Sequence, residues 1–177
     1  MEAVTEERAL NGYLKAAFAI CALLAATCTM QGCGITDVFF GPDPTIVQAT
    51  VKVANDVNPD SRNQSSPVRT RFYLLKSVSI FKSADFFQLK EQDRELLSED
   101  IMIRKEKIFK PGEEQQVELS LPPEALSKDE KLYLAVMAGY WDIHNSEWRA
   151  VHSIRIEETT EAVISIARSD VSIDVLD

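Results

Sequence analysis

Ile46-Val47-Gln48-Ala49-Thr50-Val51-Lys52-Val53 decides the fold of this chain. Val47, Ala49, Val51 and Val53 alternate with Gln48, Thr50 and Lys52. Successive side chains of an extended strand point to opposite faces, so this period of two describes a half-buried strand. The same alternation returns downstream. Val68, Thr70, Phe72 and Leu74 predict a second strand, and Ile101 with Ile103 begins a third. Val117, Leu119 and Leu121, behind a turn at Lys110-Pro111-Gly112, predict a fourth, and Leu132, Leu134, Val136 and Ala138 a fifth. Trp148, Ala150, Ile154 and Ile156 predict a sixth; Ala162, Ile164 and Ile166, then Val171, Ile173 and Val175, supply the last two. Short strands with one apolar face each, separated by turn signals, predict a mainly β protein: two antiparallel sheets packed face to face.

One segment breaks the period. Between Ser83 and Leu97 the apolar residues Phe86, Leu89, Leu96 and Leu97 fit a helical face. Ser83 is the expected cap, and Asp85 suits the positive first turn. One helix is therefore predicted beside the sandwich.

Upstream of the first strand, Gly34 to Thr45 has Gly41, Pro42 and Pro44 and no periodic pattern, and it reads as a tether. Its 12 residues reach roughly 40 Å when extended. Ahead of it, Ala16 to Met30 is an uncharged apolar run of 15 residues, short of the roughly 20 that a spanning helix needs. With Arg8 and Lys15 before it and Gly32 after it, the layout is that of a secretory signal peptide. Cys33 follows Gly32, and Met30-Gln31-Gly32-Cys33 resembles the lipobox of bacterial lipoproteins. That resemblance implies cleavage before Cys33 and acylation of its thiol and amine. Two or three chains anchor stably where one would not, since each buried methylene contributes about 0.8 kcal/mol. Gly34 is not the aspartate that retains such proteins in the inner membrane, so the analogy places the anchor in the outer membrane, inner leaflet, facing the periplasm. The expected parts are a leader at 1–32, an acylated cysteine and tether at 33–45, and a sandwich domain at 46–177.

The 177 residues include 19 basic and 28 acidic ones; two and three of these fall in the leader, leaving 17 against 25. A net negative domain argues against nucleic acid or anionic lipid as partner. Of the three cysteines, Cys21 and Cys28 leave with the leader and Cys33 is acylated, so no disulfide is expected. His144 and His152 are the only histidines. His152 shares a predicted strand face with Trp148, Ala150 and Ile154 and is read as a hydrogen-bonded core residue. His144 lies between Asp142 and Ser146 at a hairpin tip, where side chains point to water and do not converge as a triad must. Catalysis is not expected. Neither metal-ligand spacing nor a phosphate-cradling loop is present, and no cofactor is expected.

Asn58 to Pro67, with Pro59, Asp60, Ser61, Arg62, Asn63, Gln64, Ser65 and Ser66 between, is polar throughout and too long for a tight hairpin. By itself it reads as a solvated connection. Asn58-Pro59-Asp60-Ser61, Ser66-Pro67-Val68, Arg71, Tyr73, Leu75-Lys76, Phe81, Ser83-Ala84-Asp85-Phe86-Phe87 and Leu89 together resemble the TssJ family, the outer-membrane lipoproteins of type VI secretion systems. Pro111-Gly112, Ala138-Gly139-Tyr140-Trp141-Asp142 and Trp148-Arg149 continue the likeness. Asn63 departs from it where a glycine is common, and Trp141 where an arginine is frequent. The resemblance implies a transthyretin-like β-sandwich with a helical excursion and no enzymatic activity. It also implies binding to the periplasmic C-terminal part of TssM, the inner-membrane component that associates with TssL, largely through the loop here spanning Asn58 to Pro67. The alternative is a structural or ligand-carrying periplasmic lipoprotein of the same fold.

Overall fold

A computed structural model describes residues 42–127 and 129–176. The predicted leader, Cys33 and the tether as far as Gly41 lie outside the described residues. Eight strands form: β1 Thr45–Val53, β2 Val68–Leu75, β3 Ile101–Phe109, β4 Glu114–Leu121, β5 Leu132–Gly139, β6 Arg149–Ile154, β7 Thr159–Ile166 and β8 Val171–Leu176. They make two four-stranded sheets, ordered β4-β1-β7-β8 and β3-β2-β5-β6. This is the mainly β, two-sheet sandwich that the alternation predicts. Its ladders are antiparallel with one difference: β1 and β7 pair in parallel, Val47 opposite Thr160 and Val51 opposite Ile164. Alternation is blind to strand direction, and a parallel pair needs only a long crossover, which the chain from Ala54 to Glu158 provides. The inward residues of both sheets, among them Val47, Val51, Phe72, Leu134 and Ile164, form one core.

Sheet β3-β2-β5-β6 is covered on its other face as well. Phe72, Tyr73, Leu74 and Leu75 are all fully buried, because alternate residues of β2 enter two different cores. The second core joins Tyr73, Leu75 and Met137 to Phe81, Leu89 and Leu97 of the helical connection. Two helices stand where one is predicted: α1 Ser79–Ser83 and α2 Phe86–Leu96. Ser83 closes α1 and does not cap α2. Asp85 caps α2, accepting from the Gln88 N–H at 2.9 Å while Gln88 Oε1 accepts from the Asp85 N–H at 3.1 Å. This capping box satisfies two donors at the helix start, which a lone serine two residues earlier cannot reach.

Helix α2 kinks at Gln92 (φ −130°), and Arg71 of β2 donates to the Leu89 and Lys90 carbonyls, both at 2.9 Å. Asp93, buried beneath the kink, accepts from Tyr73 Oη at 2.6 Å and Arg104 Nε at 2.7 Å, with Arg71 Nη1 at 3.2 Å. Glu106 completes the network with Arg71 at 2.8 Å and Arg104 at 3.0 Å. Burial alone raises the Asp93 pKa, but the bonds from Tyr73 and Arg104 and the charges of Arg71 and Arg104 outweigh it and hold the carboxyl below its ordinary value. Glu106 is lowered in the same way: burial is outweighed chiefly by Arg71 and Arg69. The fold thus gains stability from ionised Asp93 and Glu106 that is complete above the ordinary carboxylate values and is lost as pH falls through their lowered ones.

The register sends the connections 54–67, 110–113, 140–148 and 167–170 to one end of the sandwich. Thr45 lies at the opposite end, where its Oγ1 accepts from the Glu157 N–H at 2.8 Å. Nine-residue β1 separates the two ends by roughly 30 Å. Gly112 (φ +74°) closes the β3–β4 turn; a Cβ there would run into the Asn55 side chain.

Asp93→Asn should lower stability by about 3 kcal/mol, since it leaves two arginines facing a neutral group. In pH-dependent denaturation the wild type should lose stability below about pH 4, and the variant should lose less over that range. Thr70, fully buried in the main core, has no partner for Oγ1 among the described residues. Thr70→Val should therefore raise stability, by about 1 kcal/mol in chemical denaturation.

Candidate functional site

The polar loop is held by its first residue. Val57 is fully buried and Asn58 nearly so, at 6 % exposure, with φ +49°. Asparagine is among the few side chains that adopt this left-handed conformation readily. Asn58 Nδ2 donates to the Pro67 carbonyl at 2.9 Å, joining the two ends of the loop. Its Oδ1 accepts from the Trp141 N–H at 2.6 Å, and its own N–H donates to the Arg168 carbonyl at 2.9 Å. One buried carboxamide and its backbone thereby join three connections: 54–67, 140–148 and 167–170.

Inside the loop Asp60 organises the backbone. Its Oδ1 accepts from the Arg62 N–H at 2.8 Å and the Gln64 N–H at 2.9 Å, and its own N–H donates to the Gln64 carbonyl at 2.9 Å. The Gln64 N–H, more than any other group, holds the Asp60 carboxyl below its usual range. Asn63 takes φ +63°, a left-handed conformation that asparagine tolerates. Its Oδ1 accepts from Arg168 Nη2, a second tie to the β7–β8 connection, and Arg168 also faces Asp56 at 3.6 Å.

The predicted loop residues therefore separate into two groups. Ser61, Arg62, Asn63, Gln64, Ser65 and Pro67 are exposed; Asn58 is buried, and Pro59, Asp60 and Ser66 are half-buried. Asn58 and Asp60 shape the loop from within. Next to it, Tyr140 is buried and donates from Oη to the Asp170 carbonyl at 2.5 Å; burial, then the Asp170 charge, pushes its pKa up. A cleft of about 270 Å³ between Pro59, Asp142, Asn145 and Arg168 separates the connections at the surface.

The three letters Asp142, His144 and Ser146 do not make a triad. The Asp142 carboxylate accepts from Asn145 Nδ2 at 2.9 Å and 3.1 Å, and Ser146 Oγ donates to the Ile143 carbonyl at 3.1 Å. His144 is exposed, its ring 6.4 Å from that of Phe87. The expectation for His152 needs correction. It shares the inner face of β6 with Ala150 and Ile154, but β6 is an edge strand, so His152 is half-buried beside Arg155, and although its backbone lies in the ladder opposite Leu134, its imidazole makes no hydrogen bond among the described residues. No group of three or more His, Cys, Asp or Glu could hold a metal ion among the described residues.

Trp141 and Arg168 are the members of this end that spacing did not reveal. They join the loop through sheet register alone, 83 and 105 residues from their partners. A left-handed asparagine at the loop's start was the available signal, but a sequence does not display φ.

Fold and site together define a two-sheet β-sandwich whose distinctive surface is a set of mutually bonded loops at one end. Residues 45–169 match the model of the type VI secretion lipoprotein family T6SS-SciN (VasD, EvfM, TssJ), and the chain belongs to that family. It is similar to the T6SS lipoprotein TssJ1 from Pseudomonas aeruginosa, with a TM-score of 0.65 and 26% identity over 77% of this chain and 98% of that one. It shares its fold with Serratia marcescens Lip, a membrane-bound component of the type VI secretion system (TM-score 0.61, 21% identity, 77% and 98% covered). The fold also recurs in a structure described as the T6SS protein TssM C-terminal domain from EAEC (TM-score 0.57, 24% identity, 73% and 99% covered). No curated protein matches the chain.

Asn58→Ala should cost about 2 kcal/mol in chemical denaturation, because it strands the Trp141 N–H and the Pro67 carbonyl and leaves alanine at positive φ. Asn58→Asp, which keeps the acceptor and loses the donor, should fall between that variant and wild type.

Proposed function

We propose that this lipoprotein ties the periplasmic C-terminal part of TssM to the outer membrane, within a complex that includes TssL. Residues 1–32 act as the leader, acyl chains on Cys33 hold the inner leaflet, and residues 33–45 form the tether. The sandwich is the spacer and Asn58 to Pro67 the contact loop. One observation carries this reading: the wired loops stand at the end of the sandwich opposite Thr45, where the anchored segment joins. An anchor at one end leaves the other facing the periplasm.

The exposed part of the loop is polar, and it is pre-shaped by Asp60, Asn58 and Arg168, so little ordering is required on binding. A few residues of such a surface carry most of the affinity. Catalysis has no part in this reading. Holding the partner at the membrane raises its effective concentration for assembly.

The test is binding of residues 42–177 to the C-terminal periplasmic segment of the cognate TssM, with and without shortening of Asn58 to Pro67. Binding by the intact domain that falls at least tenfold on shortening supports the tether and its loop. Unchanged binding moves the contact elsewhere on the sandwich, and no binding by the intact, folded domain favours the structural or carrier lipoprotein.

A further inference from the structure

Beside the loop stands a large apolar side chain that the fold leaves in water. Trp141 is 70 % exposed, more than Ile108, Leu176, Phe87 or Ile80, the other exposed large hydrophobics among the described residues. Its backbone is nonetheless held on both sides. Its N–H donates to Asn58 Oδ1, the preceding Tyr140 is buried, and the following Asp142 is bonded to Asn145. A rigid backbone with an unburied indole forgoes the burial that would otherwise stabilise the fold. Tryptophan in such a position is among the residues that dominate interfaces, because it offers a large area with only two side-chain torsions to fix.

The surroundings indicate what would cover it. The three connections carry Asp56, Asp60, Asp142, Glu147 and Asp170 against Arg62 and Arg168. Asp60 is satisfied inside the loop and by Arg62. Five acidic groups against two basic ones leave the three connections net negative, so a surface complementary to them is apolar at its centre, over Trp141, and basic at its edge. Phe87, 48 % exposed and in ring contact with His144, adds an aromatic group from the start of α2.

We propose that Trp141 is the anchor of the partner interface, entering an apolar recess edged by basic side chains on the TssM segment. This rests on the tether reading and adds to it a residue outside the loop and a chemistry for the partner's face. It also gives the bond between Asn58 and Trp141 a purpose beyond stability: loop and anchor are presented at a fixed separation.

The experiment measures binding of the full-length chain in detergent to the TssM C-terminal segment, for wild type, Trp141→Ala, Trp141→Phe and Leu176→Ala. Leu176 is exposed at the opposite end of β8 and serves as control. The expected result is a loss of about 30-fold or more for Trp141→Ala, partial retention for Trp141→Phe and no change for Leu176→Ala. Wild-type affinity should also fall as ionic strength rises. A second readout is tryptophan emission, which should shift to the blue on complex formation in wild type and not in the complex that Trp141→Phe still forms, where Trp148 remains. Wild-type binding with Trp141→Ala within about twofold of it overturns the anchor and leaves the tether standing. Failure of wild type to bind overturns both.

Discussion

The Asn58 carboxamide is the interaction on which the loop end of this molecule depends. It donates to Pro67 and accepts from Trp141, while its own N–H reaches Arg168, so one buried side chain and its backbone unite three connections. A ten-residue polar loop with no apolar residue to bury would otherwise be free to sample many conformations. Bonded in this way, it becomes part of a surface with defined spacing. The backbone strain at φ +49° is tolerated because the surrounding bonds over-determine the conformation.

The rest of the sandwich positions this surface. β1 runs from the Thr45 end to the loop end, with β4 antiparallel on one side and β7 parallel on the other. The parallel pairing brings the end of β7, and hence Arg168, to the same end as the loop. On the other sheet, Asp93 and its arginines pin the kinked helix α2 over β2. That pinning places Phe86 against Trp148 at 5.3 Å and Phe87 near His144, so the charge network also fixes the aromatic edge of the loop end.

Much of this was legible in the residues. All eight strands follow from alternation, because burying one face imposes a period of two. The loop is legible as a polar run, flanked by the TssJ-like residues. Strand direction was not legible, since the apolar pattern is the same for parallel and antiparallel partners. A serine cap is common and Ser83 is the sequence's apparent helix start, whereas the reciprocal pair Asp85 and Gln88 sets the start of α2. His152 was expected in the core because its face is right; its strand's place at the sheet edge, which periodicity does not report, left it half-buried. Trp141 and Arg168 escaped for a related reason: their proximity to the loop is created by pairing between distant strands.

The most direct measurement is amide hydrogen exchange on the folded chain, free and bound to the TssM C-terminal segment. If the three bonded connections form one contact platform, binding slows exchange together across 58–67, 140–147 and 167–170 and leaves the Thr45 end unchanged. Protection confined to the Thr45 end, or to the outer face of the β4-β1-β7-β8 sheet, would contradict the account.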